Sequence, residues 1–291
     1  MNTSTAFNLL GAIALLASGA CLESTALAQT RSGQSDATVL QVPSIDNPLV
    51  PDNTPRAQST LSAPNRVPIT WSESSEVFGR SVQGRPLRAY ILGNGPDVTL
   101  IFAAVHGNET ATPYLVEQLH LHLRRHPEIL TGRRVVLIPV LNPDGLNRRS
   151  RVNARGVDIN RNYPGTWRKP KRGERHRSGP YAASEPETRA MLQLVNKYRP
   201  TKIVSIHQPL HCLAFSGERS RGLAQAISTA NGYKIKDNVG YPTPGGFGGY
   251  CDRIIKTPVV TLELPWQSPQ VAWQRNARAL VAAIQFRQTA R

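Results

Sequence analysis

The chain has 291 residues, 40% of them hydrophobic, with 35 Lys and Arg against 19 Asp and Glu, a formal net charge of +16 at pH 7. Such a field favours anionic partners: cell-wall polymers, acidic peptides or lipid headgroups. No nucleic-acid-binding motif accompanies it, so nucleic acid is not an expected partner.

Leu9 to Ala17 form a short apolar core, and Ala26-Leu27-Ala28 supply a small-residue cleavage pattern before Gln29. This reads as a secretory leader over residues 1–28, although its first residues lack Lys and Arg. The core is far below the ~20 apolar residues that span a bilayer, so no transmembrane segment remains once the leader is removed. Export to the periplasm or the exterior is the expectation. Lipoprotein anchoring through Cys21 is the lesser reading, because Ser18 stands where such signals usually want Leu.

Residues 29–66 are rich in Ser, Pro, Asn, Gln and Thr without apolar period, which reads as a flexible linker. Residues 67–291 are long enough for one buried domain, and no internal repeat is visible. Pro86 to Leu92 and Asp97 to Val105 read as strands joined by Gly93-Asn94-Gly95-Pro96, a hairpin signal. A helix is expected from Thr110 to His126 and a buried strand from Arg134 to Leu141. Ser184 with Glu187 predicts a capping box opening a helix to about Tyr198. Lys202 to His207 is the next strand, then a helix from about Gly222 to Ala230 and a glycine-rich loop from Tyr241 to Gly249. Val259 to Leu264 reads as a strand, and Ser268-Pro269 starts the final helix. Strands alternating with helices predict an α/β domain, a three-layer sandwich on a mixed, largely parallel sheet.

Cys212 and Cys251 remain after the leader, and in an exported chain a disulfide between them is expected. Two buried thiols are the other reading. Between Arg133 and Arg177 the many basic residues face only Asp144, Asp158 and Glu174. The run Arg168 to Arg177 suits an anionic polymer or a solvated loop. His122 and His126 have metal-like spacing, but Arg124 and Arg125 beside them indicate a wet helix face.

The densest chemistry lies at strand ends. His106-Gly107-Asn108-Glu109 follows one apolar run, His207 ends another, and Glu263 sits on a third. Two imidazoles and one carboxylate make a catalytic zinc set with one open position. Non-haem iron uses a similar set, but the nearby base candidate Glu263 favours zinc. A further carboxylate on an apolar strand is costly unless something beside it needs it.

These segments, with Asn142-Pro143-Asp144-Gly145, Gly156 to Asn162, Ser205-Ile206-His207 and Thr261 to Leu264, resemble the zinc metallocarboxypeptidase family, of which carboxypeptidase A is a member. Phe78 to Pro86 and Tyr241 to Gly245 are similar to its bacterial murein peptide amidase branch. The resemblance implies His106, Glu109 and His207 as ligands of one zinc ion and Asp158 as the carboxylate that orients His106. It implies Glu263 as the general base, Arg151 as the oxyanion donor, and Asn160 and Arg161 as the grip on a terminal carboxylate. Tyr241 matches a mobile active-site tyrosine. Gly248 falls at the base of the specificity pocket, where it offers neither an acid nor a large apolar wall.

The implied activity is hydrolysis of an amide bond next to a free carboxylate, with a peptide or muropeptide substrate. The implied bond joins D-glutamate through its γ-carboxyl to a diamino acid in cell-wall peptides. Removal of ordinary C-terminal L-residues is the alternative, and a non-catalytic wall-binding module is a third.

Overall fold

The computed structural model describes residues 71–171, 177–237 and 239–288. The expected leader, Cys21, the linker, Arg172 and Arg175 lie outside the described residues. In chain order the elements are β1 (Glu73–Arg80), β2 (Pro86–Leu92), β3 (Asp97–Phe102), α1 (Thr112–Arg125), β4 (Arg133–Ile138), α2 (Pro143–Asn147) and α3 (Pro186–Tyr198). After these come β5 (Lys202–His207), β6 (Cys212–Ser216), α4 (Arg221–Asn231), β7 (Ile235–Lys236), α5 (Phe247–Tyr250), β8 (Val259–Glu263) and α6 (Pro269–Gln285).

The eight strands form one sheet in the order β1-β2-β4-β3-β5-β8-β6-β7. Its centre, β4-β3-β5-β8, is parallel, and antiparallel pairs join β1, β2 and β6 to it. Side chains on the central strands alternate between two apolar layers, as a period of two requires. Ile101, Val135, Leu137, Val204 and Ile206 pack with α1, α4 and α6 on one face. Leu100, Phe102, Val136, Ile138 and Ile203 pack with α3 and α5 on the other. The sandwich is therefore three-layered, with a mixed, largely parallel sheet. Among the described residues, no helix is long and apolar enough to cross a membrane.

Some local expectations are corrected. β2 and β3 do not form a hairpin, because β4 lies between them and β2 pairs with β1 instead. The glycine turn serves a crossover: Gly93, at φ +74°, and Gly95 lie against the backbone of Gly132 and Arg133, where a Cβ would collide. Ser184 and Glu187 do not cap α3. Glu187 accepts from Val82 N at 3.0 Å and Asn153 Nδ2 at 3.1 Å, while Ser184 Oγ bonds Glu185. Tertiary partners outcompete the local cap. The final helix does start as read, with Ser268 Oγ accepting from Val271 N.

Cys212 and Cys251 are separate buried thiols rather than a disulfide. Cys212 pairs with Glu263 at the end of β8, while the Cys251 carbonyl bonds Thr257 N just before the strand begins. The length of β8 alone, roughly 3.3 Å per residue, separates these ends by more than the ~7 Å that a disulfide spans between Cα atoms.

The parallel strands all run to one edge, where the loops after β3 and β4 are laced together. Asn142 N donates to Ala104 O at 2.9 Å and Asn142 Nδ2 to Val105 O at 3.1 Å. Ala104 adopts φ 48°, an uncommon conformation for a residue with a side chain. A Cβ on Gly107 would lie 1.9 Å from the carbonyl carbon of Gly145, so only glycine lets these turns meet. Gly107→Ala should therefore cost at least about 2 kcal/mol, an overpacking penalty. Urea unfolding would measure it, and an unchanged midpoint would refute the contact.

Candidate metal centre and cleft

Two of these edge segments bring together His106, Glu109 and His207. The loop after β3 supplies the first two and β5 ends on the third. All three are nearly fully buried. Glu109 Oε1 lies 2.6 Å from His106 Nδ1, and its Oε2 lies 3.0 Å from His207 Nδ1. One ligand atom from each residue falls within 4.8 Å of the others. His207 Nε2 is buried without a hydrogen-bond partner. Two imidazoles and a carboxylate this close fit one zinc ion with a position to spare.

Asp158 completes the support. Its Oδ1 lies 3.2 Å from His106 Nε2 and accepts from Asn160 N at 2.9 Å, while its Oδ2 accepts from Arg151 Nε at 2.9 Å. A carboxylate on the far nitrogen fixes the ring's orientation and raises its basicity. Burial opposes charge on His106, but Glu109 and Asp158 outweigh it and raise its pKa to about 9. Burial likewise works against the ionised Glu109, yet the two imidazoles hold it at about 2. For Asp158, His106, Arg151 and Arg161 overcome burial and drive the carboxyl far below its usual range.

Glu263 on β8 stands in register with His207 on β5, so both side chains leave the sheet on the same face. It is 6% exposed and lines the cleft. Burial raises its pKa above the ordinary carboxylate value of 4.5; His207 opposes that rise and Glu109 adds to it.

Arg161 is 2% exposed and lines the same cleft. Its Nη1 donates to Asn160 O at 2.7 Å, while Nε and Nη2 are buried with no hydrogen-bond partner. Those two nitrogens form the guanidinium edge that matches both oxygens of a carboxylate. Asn160 Oδ1 accepts from Phe247 N at 2.9 Å, and Asn160 lines the cleft beside Arg161. The glycine-rich loop closes this wall. Gly245, at φ +70°, packs so tightly that a Cβ would lie 2.0 Å from Arg161 O. Tyr241 lines the cleft, half exposed, with Arg161 5.9 Å above its ring.

The structure thus brings together His106, Glu109, His207, Asp158, Glu263, Arg151, Asn160, Arg161 and Tyr241. Cys212 and Cys251 are buried and do not line this cleft. His126 is exposed at the C-terminal cap of α1 and does not line the cleft. Arg168 reaches the cleft rim. Sequence reading missed Thr166, whose hydroxyl holds Gly245 N at 3.0 Å, and Asp252, which lines the cleft from the helical turn after α5. An acid beside Cys251 was visible, but no motif carries it. Asp158→Asn should weaken zinc binding by about 10–100-fold, because the ring loses its charged partner. Competition with a chromogenic chelator would measure this, and unchanged affinity would contradict the orienting contact.

Residues 72–220 match the family model described as zinc carboxypeptidase, Peptidase_M14. Murein peptide amidase A of Escherichia coli strain K12 is 32% identical over 240 residues, covering 78% of this chain and 96% of that protein. Its namesake in Vibrio campbellii is 33% identical over 224 residues, covering 72% and 86%. Among solved structures, the murein-tripeptide amidase of Escherichia coli O157 superposes with a TM-score of 0.57 at 28% identity, covering 74% of this chain and 93% of that one. Bovine thrombin-activatable fibrinolysis inhibitor gives 0.64 at 19% identity over 73% and 88%, a likeness of fold alone. With its fold, its buried His-Glu-His set and this breadth of similarity, the chain belongs to the Peptidase M14 family of zinc carboxypeptidases.

Proposed function

We propose that this hydrolase cleaves an amide bond next to a free carboxylate, and that its substrate is a cell-wall peptide. The bond would join the γ-carboxyl of D-glutamate to a diamino acid. The observation that carries the first part is Arg161, a buried guanidinium that leaves two adjacent nitrogens unpaired at the cleft wall. A substrate carboxylate would satisfy both at once. The second part rests on the similarity to murein peptide amidase A across most of both chains. Residues 67–291 would form the catalytic domain. Export, expected from the leader, would bring it to the wall, and its positive charge suits an anionic polymer.

Zinc held by His106, Glu109 and His207 would lower the pKa of bound water towards ~7 and polarise the scissile carbonyl. Asn160 and Arg161 fix the terminal carboxylate, which sets the amide beside Glu263. Glu263 takes a proton from the attacking water and later gives it to the leaving amine. Arg151, braced by Asp158, offers positive charge to the oxyanion. Tyr241, on the exposed side of the cleft, closes over the carboxylate end.

The sign of the pH dependence follows from Glu263. The base works only when ionised, and its pKa is raised, so kcat/KM should fall as pH drops while still above the ordinary carboxylate range. Glu263→Gln should lower kcat by roughly 10²–10⁴-fold, the usual worth of a general base, while zinc content is retained. Survival of activity would remove Glu263 from proton transfer. For the substrate, purified protein should hydrolyse a γ-D-glutamyl-meso-diaminopimelate peptide faster than hippuryl-L-amino acids. Turnover of the hippuryl compounds alone would replace the wall-peptide reading with an ordinary carboxypeptidase.

A further inference from the structure

The cleft, about 530 Å³, does not end at the reacting groups. Thr261 lies two residues before Glu263 on β8, so both side chains face the same way, and both line the cleft. Beyond them the wall is made by Ser216, Gly217, Gly248 and Asp252. Two glycines shape it. A Cβ on Gly217, at φ +73°, would lie 1.9 Å from Asp252 Oδ1, and a Cβ on Gly248 would lie 2.3 Å from Ser216 Oγ. The missing side chain at 217 therefore leaves room for the Asp252 carboxylate at the cleft, and the one at 248 leaves room for Ser216. The acid absent at Gly248 itself is supplied from four residues on.

Asp252 is held but still accessible. Arg219 Nε lies 3.6 Å from its Oδ1, and the side chain of Asp252 stays 35% exposed. Arg219 is itself anchored, with Nη1 donating to Lys256 O at 3.1 Å. The other acids lining the cleft are accounted for. Glu109 belongs to the metal set, Glu263 adjoins it, and Asp237 is a rim residue with a 79% exposed side chain. Elsewhere the lining is neutral or cationic, through Arg151, Arg161, Arg168 and Arg253. A single carboxylate in such a cleft discriminates by sign of charge, since a cation near it gains and an anion loses.

We propose that Asp252 determines specificity by receiving a cationic group on the side chain of the leaving residue, such as the distal ammonium of a diamino acid. The inference rests on the amidase reading only for the linkage, and it applies to any leaving residue gripped at its carboxylate by Arg161. It adds a reason why a diamino acid suits this cleft: one end meets a guanidinium and the side-chain ammonium meets an acid. Ser216 and Thr261, which also line the cleft, are neutral and present no competing charge.

The test compares wild type with Asp252→Asn, which keeps the side chain's shape, on two matched substrate pairs. One pair is γ-D-glutamyl-L-lysine and γ-D-glutamyl-L-norleucine. The other is hippuryl-lysine and hippuryl-norleucine. In whichever linkage is hydrolysed, wild type should prefer the cationic member, and Asp252→Asn should reduce that kcat/KM ratio at least about tenfold, the worth of a charged hydrogen bond. Asp252→Lys should reverse the preference toward hippuryl-glutamate over hippuryl-lysine, provided circular dichroism shows a native spectrum. A wild-type ratio near one, or a ratio that Asp252→Asn leaves intact, overturns the proposal. Hydrolysis confined to the hippuryl pair would end the γ-glutamyl reading, while the ratio in that pair would still decide the role of Asp252.

Discussion

One buried carboxylate ties the catalytic edge together. Asp158 contacts His106 through one oxygen and Arg151 through the other, and the first oxygen also takes the backbone N–H of Asn160. It therefore holds from a single point the candidate metal ligand His106, the proposed oxyanion donor Arg151 and the start of the proposed carboxylate grip at Asn160. A fully buried anion is costly alone. It persists here because an imidazole, two guanidiniums and a backbone donor face it, and together they outweigh desolvation. Loosening Asp158 would disturb both halves of the proposed chemistry at once.

The sheet explains why such distant residues meet. β3, β4, β5 and β8 are parallel neighbours, so their carboxyl ends share one edge. His106, Asn142, His207 and Glu263 stand at or just beyond those ends, a position where open α/β sheets hold ligands. The loop crossing there is tight enough that glycine is required at 107, 145 and 245. Backbone contact replaces side-chain bulk, and the working side chains gain a rigid base. The antiparallel β6 then extends the wall beyond Glu263 and delivers Ser216 and Gly217 to the cleft.

Much of this was legible in the residues. Short apolar runs ending in His207 and Glu263 read directly as buried strands, and their register across β5 and β8 follows from those ends. The metal set was legible because imidazole and carboxylate at strand tips have few other uses. Three features were not. The glycine turn at 93–96 resembles a hairpin locally, but β4 inserts between the strands, and only long-range pairing decides that. Cys212 and Cys251 count as a pair, but β8 keeps them apart. Ser184 and Glu187 have cap spacing, yet both are drawn into contacts with loops remote in sequence. Asp252 was hidden for a related reason: its place at the cleft depends on the empty position of Gly217, remote in sequence, which no local pattern records.

The account stands on one zinc ion held by two imidazoles and one carboxylate at this edge. X-ray absorption at the zinc edge of the purified full chain tests that claim most directly. The account predicts one zinc per chain with two histidine nitrogens and light oxygen donors, and loss of that signature in His207→Ala. A sulfur-bound zinc, or an active protein with no metal signal, would contradict it.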